Sequence, residues 1–208
     1  DIGFPSVKES KIDIPGADGY LDMTDYFGTR YEDRKITIEC DIEDRSYYDW
    51  AGRMSQLSNY LHGKKRKIVL DWDNGFYYLG RGTCEYEKKN RAFSLVTLKF
   101  ECDPYKYELT ATDEDWLWDP FDFEEGVIKE YGNQNVDGTL VLTVIGSPMP
   151  VVPRITVSSD MQVEFEGERF DLKAGENYLP DIEIKDGEHV MTFTGHGIVT
   201  VSYRGGSL

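Results

Sequence analysis

Between Lys35 and Asp41 apolar and polar residues alternate as they do along a half-buried strand, with Ile36 and Ile38 on one face. The period then changes. Tyr47, Trp50, Ala51, Met54, Leu57 and Leu61 recur at helical spacing and lay one apolar stripe along a helix over about Ser46 to Leu61. Ser46 or Asp44 supplies the cap, and Gly63 ends the helix. Three strands are predicted next: Lys67 to Trp72, Phe76 to Glu85 and Phe93 to Cys102. Asp73-Asn74-Gly75 makes a hairpin between the first two, and Lys88-Lys89-Asn90 turns the second into the third. In the last strand Ser94, Val96, Leu98, Phe100 and Cys102 form the more apolar face, which would lie against the helix. Residues 1–105 thus predict an α+β domain, a curved antiparallel sheet with one helix packed on it.

Residues 106–137 break this pattern. Asp103-Pro104 ends the strand, and Asp113 to Glu125 carries seven acids and no base among Trp116, Trp118, Phe121 and Phe123. Such alternation suits an extended connector whose rings dock on a neighbouring surface; an acidic recruitment segment without fixed structure is the competing reading. Residues 138–208 read as all β. Short alternating runs (Leu140–Ile145, Arg154–Val157, Gln162–Phe165, Arg169–Leu172, Ile182–Ile184, Val190–Thr194, Ile198–Tyr203) are separated by turn signals such as Glu166-Gly167, Asp186-Gly187 and Gly195-His196-Gly197. That spacing predicts a β-sandwich. Pro148, Pro150 and Pro153 cannot donate to a ladder and mark a strand edge or crossing.

The segment Ile12 to Ile38 holds Pro15-Gly16-Ala17-Asp18-Gly19, then Leu21-Asp22-Met23-Thr24, then Tyr31 and Arg34 before the alternating strand. On residues alone this is a strand, a tight turn, a short second element and another strand. Taken together it resembles the N-terminal domain of the distal tail proteins of long, non-contractile-tailed bacteriophages. The shared features are Ile-Pro-Gly-x-Asp-Gly, Leu-Asp and Tyr-x-x-Arg, so Pro15, Gly16, Asp18, Gly19, Leu21 and Arg34 carry the family motif. The resemblance continues at Val152-Pro153-Arg154-Ile155, at Tyr178-Leu179-Pro180-Asp181-Ile182 and from Val199 to Arg204 with Leu208. The family has an additional leading segment, so the resemblance leads us to expect a strand preceding Asp1.

Charge and composition narrow the chemistry. The formal net charge is −16, and it is unevenly spread: residues 1–105 hold 16 basic against 19 acidic side chains, residues 106–208 hold 7 against 20. Gripping phosphate backbones requires clustered positive charge, which the acidic half does not offer. Three cysteines (Cys40, Cys84, Cys102) without CxxC spacing, each in a strand-like context, read as buried thiols. The scattered His62, His189 and His196 give no sequence-local metal set, and no nucleophile elbow occurs. His62, at the helix end, is placed to meet the C-terminal dipole. Asp71-Trp72-Asp73-Asn74-Gly75 fits a calcium loop poorly, its glycine coming one position early. No apolar run approaches the ~20 residues of a membrane span. Catalytic, metal and cofactor sites are therefore not expected.

The resemblance implies a structural virion component: a homo-hexameric ring at the far end of a siphophage tail, assembled in the bacterial host cytoplasm. It implies a mainly β fold, with the α+β first domain (antiparallel sheet or split barrel with one helix) forming the ring and a galectin-like sandwich following. Expected partners are the tail tube protein, the tail-tip or tail-associated lysin protein, and baseplate or receptor-binding proteins. DNA would pass through without specific binding, and no membrane is involved. Arg34 is expected to be a structural ion-pair partner. Lys64, Lys65 and Arg66, in the one basic run, read as a solvated loop or as a patch for an acidic neighbouring subunit. The alternative function is a carbohydrate-binding adhesion module recognising host surface glycans, for which Phe165, Phe170, Tyr178, Phe193 and Tyr203 offer stacking rings.

Overall fold

The structure is a computed structural model and describes residues 1–43, 46–115 and 129–208. Asp44 as a cap and the stretch 116–128 of the acidic connector lie outside the described residues. The chain separates into two units, Asp1–Ile68 with Tyr78–Tyr105, and Val69–Tyr77 with Lys106–Leu208. The second unit thus takes in residues 69–77, which the pattern puts in the first domain, and the described parts of the connector.

The first unit opens with a hairpin, β1 (Lys11–Asp13) and β2 (Tyr20–Asp22), then a one-turn helix α1 (Thr24–Phe27). Next come β3 (Arg34–Glu43), the helix α2 (Tyr47–Leu61), β4 (Lys65–Ile68), β5 (Phe76–Lys88) and β6 (Phe93–Cys102). The antiparallel order is β4-β5-β6-β3. The backbone of Asp1 to Gly3 lies along the other side of β3, with Gly3 N–H donating to the Lys35 carbonyl and Ile2 bridging Ile36. Ser46 caps α2 by accepting from the Asp49 N–H at 3.2 Å. Ile36, Met54, Leu61, Val96, Phe100 and Cys102 are buried, so the apolar face of β6 is an inner face. The helical stripe is only partly used: Met54 and Leu61 are buried, whereas Tyr47 and Ala51 are exposed.

Three local expectations give way here. The strand over Lys67 to Trp72 ends at Ile68, and Asp71–Asp73 is a 3-10 turn. Ile68 pairs with Tyr78, so the excursion between β4 and β5 is long rather than a two-residue hairpin. Leu70 and Tyr77 are buried in the second unit, and Asp73 pairs there with Lys106 at 2.9 Å, which is what draws the excursion out. Cys84 and Cys102 are buried as expected, but Cys40 is exposed.

The second unit contains β7 (Lys106–Glu108), β8 (Gln134–Ile145), β9 (Arg154–Val157), β10 (Met161–Phe165), β11 (Glu168–Leu172), β12 (Gly175–Tyr178), β13 (Glu188–Ser202) and β14 (Gly206–Ser207). The strand β13 organises it. One edge pairs with β8 along its length; the other meets β10 through Met191 to Thr194 and β9 through Val199 to Ser202. Gly195-His196-Gly197, expected to be a turn, is instead the middle of this strand. Gly195 (φ 151°) faces Gly138 (φ 83°) across the ladder, so both strands bend at one level. A Cβ on Gly195 would sit 2.6 Å from Met161 Cβ, so the bend also needs the missing side chain. Ile184 makes one bridge to Val151 rather than a strand, while Ile182 and Ile184 are fully buried.

The core of this unit includes Val144, Ile155, Val163, Leu172, Met191, Phe193, Val199 and Val201. Each such side chain contributes roughly 1.5–3 kcal/mol on burial. Two connector pieces complete it. Tyr131 stacks on Tyr203 with centroids 6.1 Å apart, and buried Thr112 accepts from the Tyr203 N–H and donates to the Val201 carbonyl.

Candidate assembly surface

The family-motif residues Pro15, Gly16, Asp18, Gly19 and Leu21 fall on one structure, the β1–β2 hairpin. Gly16 (φ 85°) and Gly19 (φ 79°) take left-handed backbone, and neither has anything within 4 Å of where a Cβ would be. They serve the turn, not a close approach. Ala17 N–H donates to the Ile14 carbonyl at 3.1 Å, and at the base Met23 N–H donates to the Ser10 carbonyl. Asp22 accepts from the Thr24 N–H at 2.9 Å at the entry to α1. Hydrogen bonds from Thr24 hold the Asp22 carboxyl below the usual carboxylate range.

Every residue of β1 and β2 is exposed, so neither face of the hairpin is packed by the rest of the unit. Ile12, Ile14, Tyr20 and Leu21 are 39–70% exposed, and Phe4, Val7 and Tyr26 are exposed as well. A two-stranded hairpin with no covered face is marginal in water. Contiguous exposed apolar side chains mark an interaction surface.

Arg34 is not part of this arm. It begins β3 and is 2% exposed, with its guanidinium 5.2 Å from the Tyr78 ring centroid and 5.9 Å from that of Phe4. The expected ion pair is absent among the described residues: Nε and Nη2 have no hydrogen-bond partner. The cause is register. The residue facing Arg34 on β6 is Cys102, and Asp103 pairs with Lys65 at 3.1 Å instead.

The basic run has a local task. Lys64 Nζ donates to the Asn59 carbonyl, while Arg66 Nε and Nη2 donate to the Tyr60 carbonyl at 3.1 and 2.9 Å. These are last-turn carbonyls of α2, which have no intrahelical donor. The contacts do not follow from sequence spacing alone, because they depend on β4 doubling back past the helix end. His62 likewise acts locally, its Nδ1 accepting the Cys84 N–H at 3.3 Å.

Among the other singled-out groups, burial chiefly, and then Asp103, pushes the Cys102 thiol up to about 11. No group of three or more His, Cys, Asp or Glu side chains gathers in metal-holding geometry among the described residues. No helix there is long and apolar enough to cross a membrane. Of the five aromatic side chains offered for sugar stacking, Phe165, Phe193 and Tyr203 are buried and Phe170 is partly buried in the core, leaving Tyr178 exposed.

Residues 2–102, which include the hairpin and the whole β4-β5-β6-β3 sheet, match the family described as phage tail protein RIFT-related domain. The fold is similar to the crystal structure of the SPP1 Dit protein (gp 19.1), described as a paradigm of the hub adsorption apparatus in phages infecting Gram-positive hosts. The TM-score is 0.64 at 16% identity, covering 99% of this chain and 90% of that one. No curated protein matches the chain.

Proposed function

We propose that the chain, whose residues 2–102 match the phage tail protein RIFT-related domain and whose fold is similar to that of a distal tail protein, is itself a distal tail protein of a siphophage and closes into a hexameric ring at the far end of the tail. The ring serves as a hub. It joins the tail tube to the tail-tip or tail-associated lysin protein and carries baseplate or receptor-binding proteins outward, with DNA passing through unbound. The observation that carries this is the uncovered β1–β2 hairpin inside the family-matching region.

A closed ring is built from heterologous contacts, so each copy offers an arm and a different surface to receive it. The hairpin has the properties of such an arm: a left-handed glycine turn at its tip, apolar side chains on both strands and strand edges that pair with no third strand among the described residues. Lys64, Lys65 and Arg66 remain candidates for the receiving side only where their groups are not held by α2. Negative-stain imaging and native mass measurement of the full chain test the ring. A six-fold annulus that falls apart in the Ile12→Asp, Leu21→Asp double variant, with the fold intact by circular dichroism, is the expected result. A chain that stays monomeric at high concentration, alone and with its neighbouring tail components, ends the proposal.

A further inference from the structure

The strand β8 leaves one edge open, and we propose that this edge pairs antiparallel with the same edge of a second copy, joining two second units into one continuous sheet. The inference does not rest on the ring. It concerns a different contact, made by the part of the chain beyond residues 2–102.

Backbone parity shows which groups are free. β8 pairs with β13 without interruption from Gln134 to Ile145. Just past its end, Gly146 N–H donates to the Gly187 carbonyl, so even-numbered residues turn their backbone groups towards β13. Ile145 turns the other way: its N–H donates to the Tyr131 hydroxyl at 3.1 Å, and its carbonyl accepts from the Tyr203 hydroxyl at 2.7 Å. By the same alternation Thr143, Val141 and Thr139 each direct an N–H and a C=O outward, where no third strand lies among the described residues.

The other edges are guarded. β11, at one margin of the sheet, carries Glu168, Arg169 and Asp171, and the short β12, at the other, carries Glu176. In the first unit β3 presents Glu39, Asp41 and Glu43 beyond the reach of Asp1 to Gly3, and β4 presents Lys65, Arg66 and Lys67. Charged side chains and short length are what keep sheet edges from pairing with one another. From Gly138 to Ile145, β8 has no charged side chain, and Thr139, Val141 and Thr143 are exposed, Val141 by 62%.

Two properties select a second copy as the occupant. The chain carries 39 acidic against 23 basic side chains, so copies repel over most of their surface and approach most readily where neither is charged. Beside β8 on the same face, β13 offers Val190, Thr192 and Thr194, also uncharged. The edge is also complementary to itself. With a two-fold axis at Val141, Thr139 meets Thr143 of the second copy, Val141 meets its counterpart, and every outward N–H faces an outward C=O. Facing β-branched side chains stabilise such a ladder. This contact is isologous, whereas a ring closes through heterologous ones, so neither requires the other.

The test uses the full chain in the Ile12→Asp, Leu21→Asp background, where ring contacts do not contribute, with sedimentation velocity over a concentration series. A monomer–dimer equilibrium is the expected result. Val141→Lys sets two like charges against each other at the axis and should weaken the dimer about ten-fold or more, whereas Val141→Thr, equally suited to a strand, should change it by less than about three-fold. The Val141 side chain is exposed and its backbone groups point away from β13, so neither substitution disturbs the ladder within the chain. Amide exchange followed by NMR reads the edge without substituting it: the Thr139, Val141 and Thr143 N–H groups should exchange fast in dilute protein and slowly where the dimer forms. A chain that stays monomeric, a dimer as tight in Val141→Lys as without it, or fast exchange of these amides in the dimer overturns the inference. Slow exchange that begins only when another tail component is added overturns it too, because the edge then takes a foreign strand. The ring is decided with the hairpin intact and this contact with the hairpin substituted, so either can fail without the other.

Discussion

Arg66→Glu separates two accounts of the basic run, a docking patch for a neighbour and a cap for the chain's own helix. In the structure the guanidinium sends two hydrogen bonds to the Tyr60 carbonyl and lies 4.5 Å from the centroid of the Tyr60 ring. Losing these exposed, charge-assisted bonds costs about 1 kcal/mol, because the freed carbonyl is taken up by water and no buried group is orphaned. Replacing a cation with an anion beside the helix C-terminus forfeits a favourable dipole interaction and adds an unfavourable one, together about 1 kcal/mol. The sum is about 2 kcal/mol for Arg66→Glu and about 1.5 kcal/mol for Arg66→Gln, which loses the bonds and the favourable dipole interaction but adds no repulsion. Urea unfolding at low protein concentration, followed by circular dichroism, measures both. The gap between the two variants should narrow in 1 M salt, since only the dipole part is screened within ~3 Å. An unchanged midpoint in Arg66→Glu with loss of self-association would refute the cap and restore the patch.

Two further outcomes follow from the fold. Gly195→Ala should cost the second unit about 3 kcal/mol, since strain combines with the 2.6 Å approach to Met161 Cβ, whereas Gly138→Ala, with nothing within 4 Å, should cost about 1 kcal/mol from backbone strain alone; urea midpoints in the reverse order would mean the bend is not set by that approach. Thiol titration of the native chain near neutral pH should find one fast group, Cys40, and two that react only on unfolding, because burial raises the Cys84 and Cys102 thiols and shields them; three fast thiols would contradict the packing of β5 against β6.

Periodicity determined by itself the helix α2, the strand Phe93–Cys102 with its inner face, and the mainly β second half, whereas the choice of Ser46 as the cap is seen only in the structure. Each of these depends on residues close in sequence, where spacing reports directly on which side is buried. The motif from Pro15 to Leu21 was legible for a similar reason, since a turn that needs left-handed backbone leaves its glycines in the sequence. What that motif does was not legible, because exposure is a property of what fails to pack against it. Tertiary structure alone decided that Gly195-His196-Gly197 bends one long strand instead of ending it. The same two glycines serve a turn or a kink, and only the unbroken ladder of β13 with β8 distinguishes them. Tertiary structure likewise drew residues 69–77 into the second unit, left Arg34 without an acid among the described residues by setting Cys102 opposite it, and gave Lys64 and Arg66 to the end of α2. Partners far apart in sequence are chosen by register and by the path of the chain, and neither is written in the local alternation of apolar and polar residues.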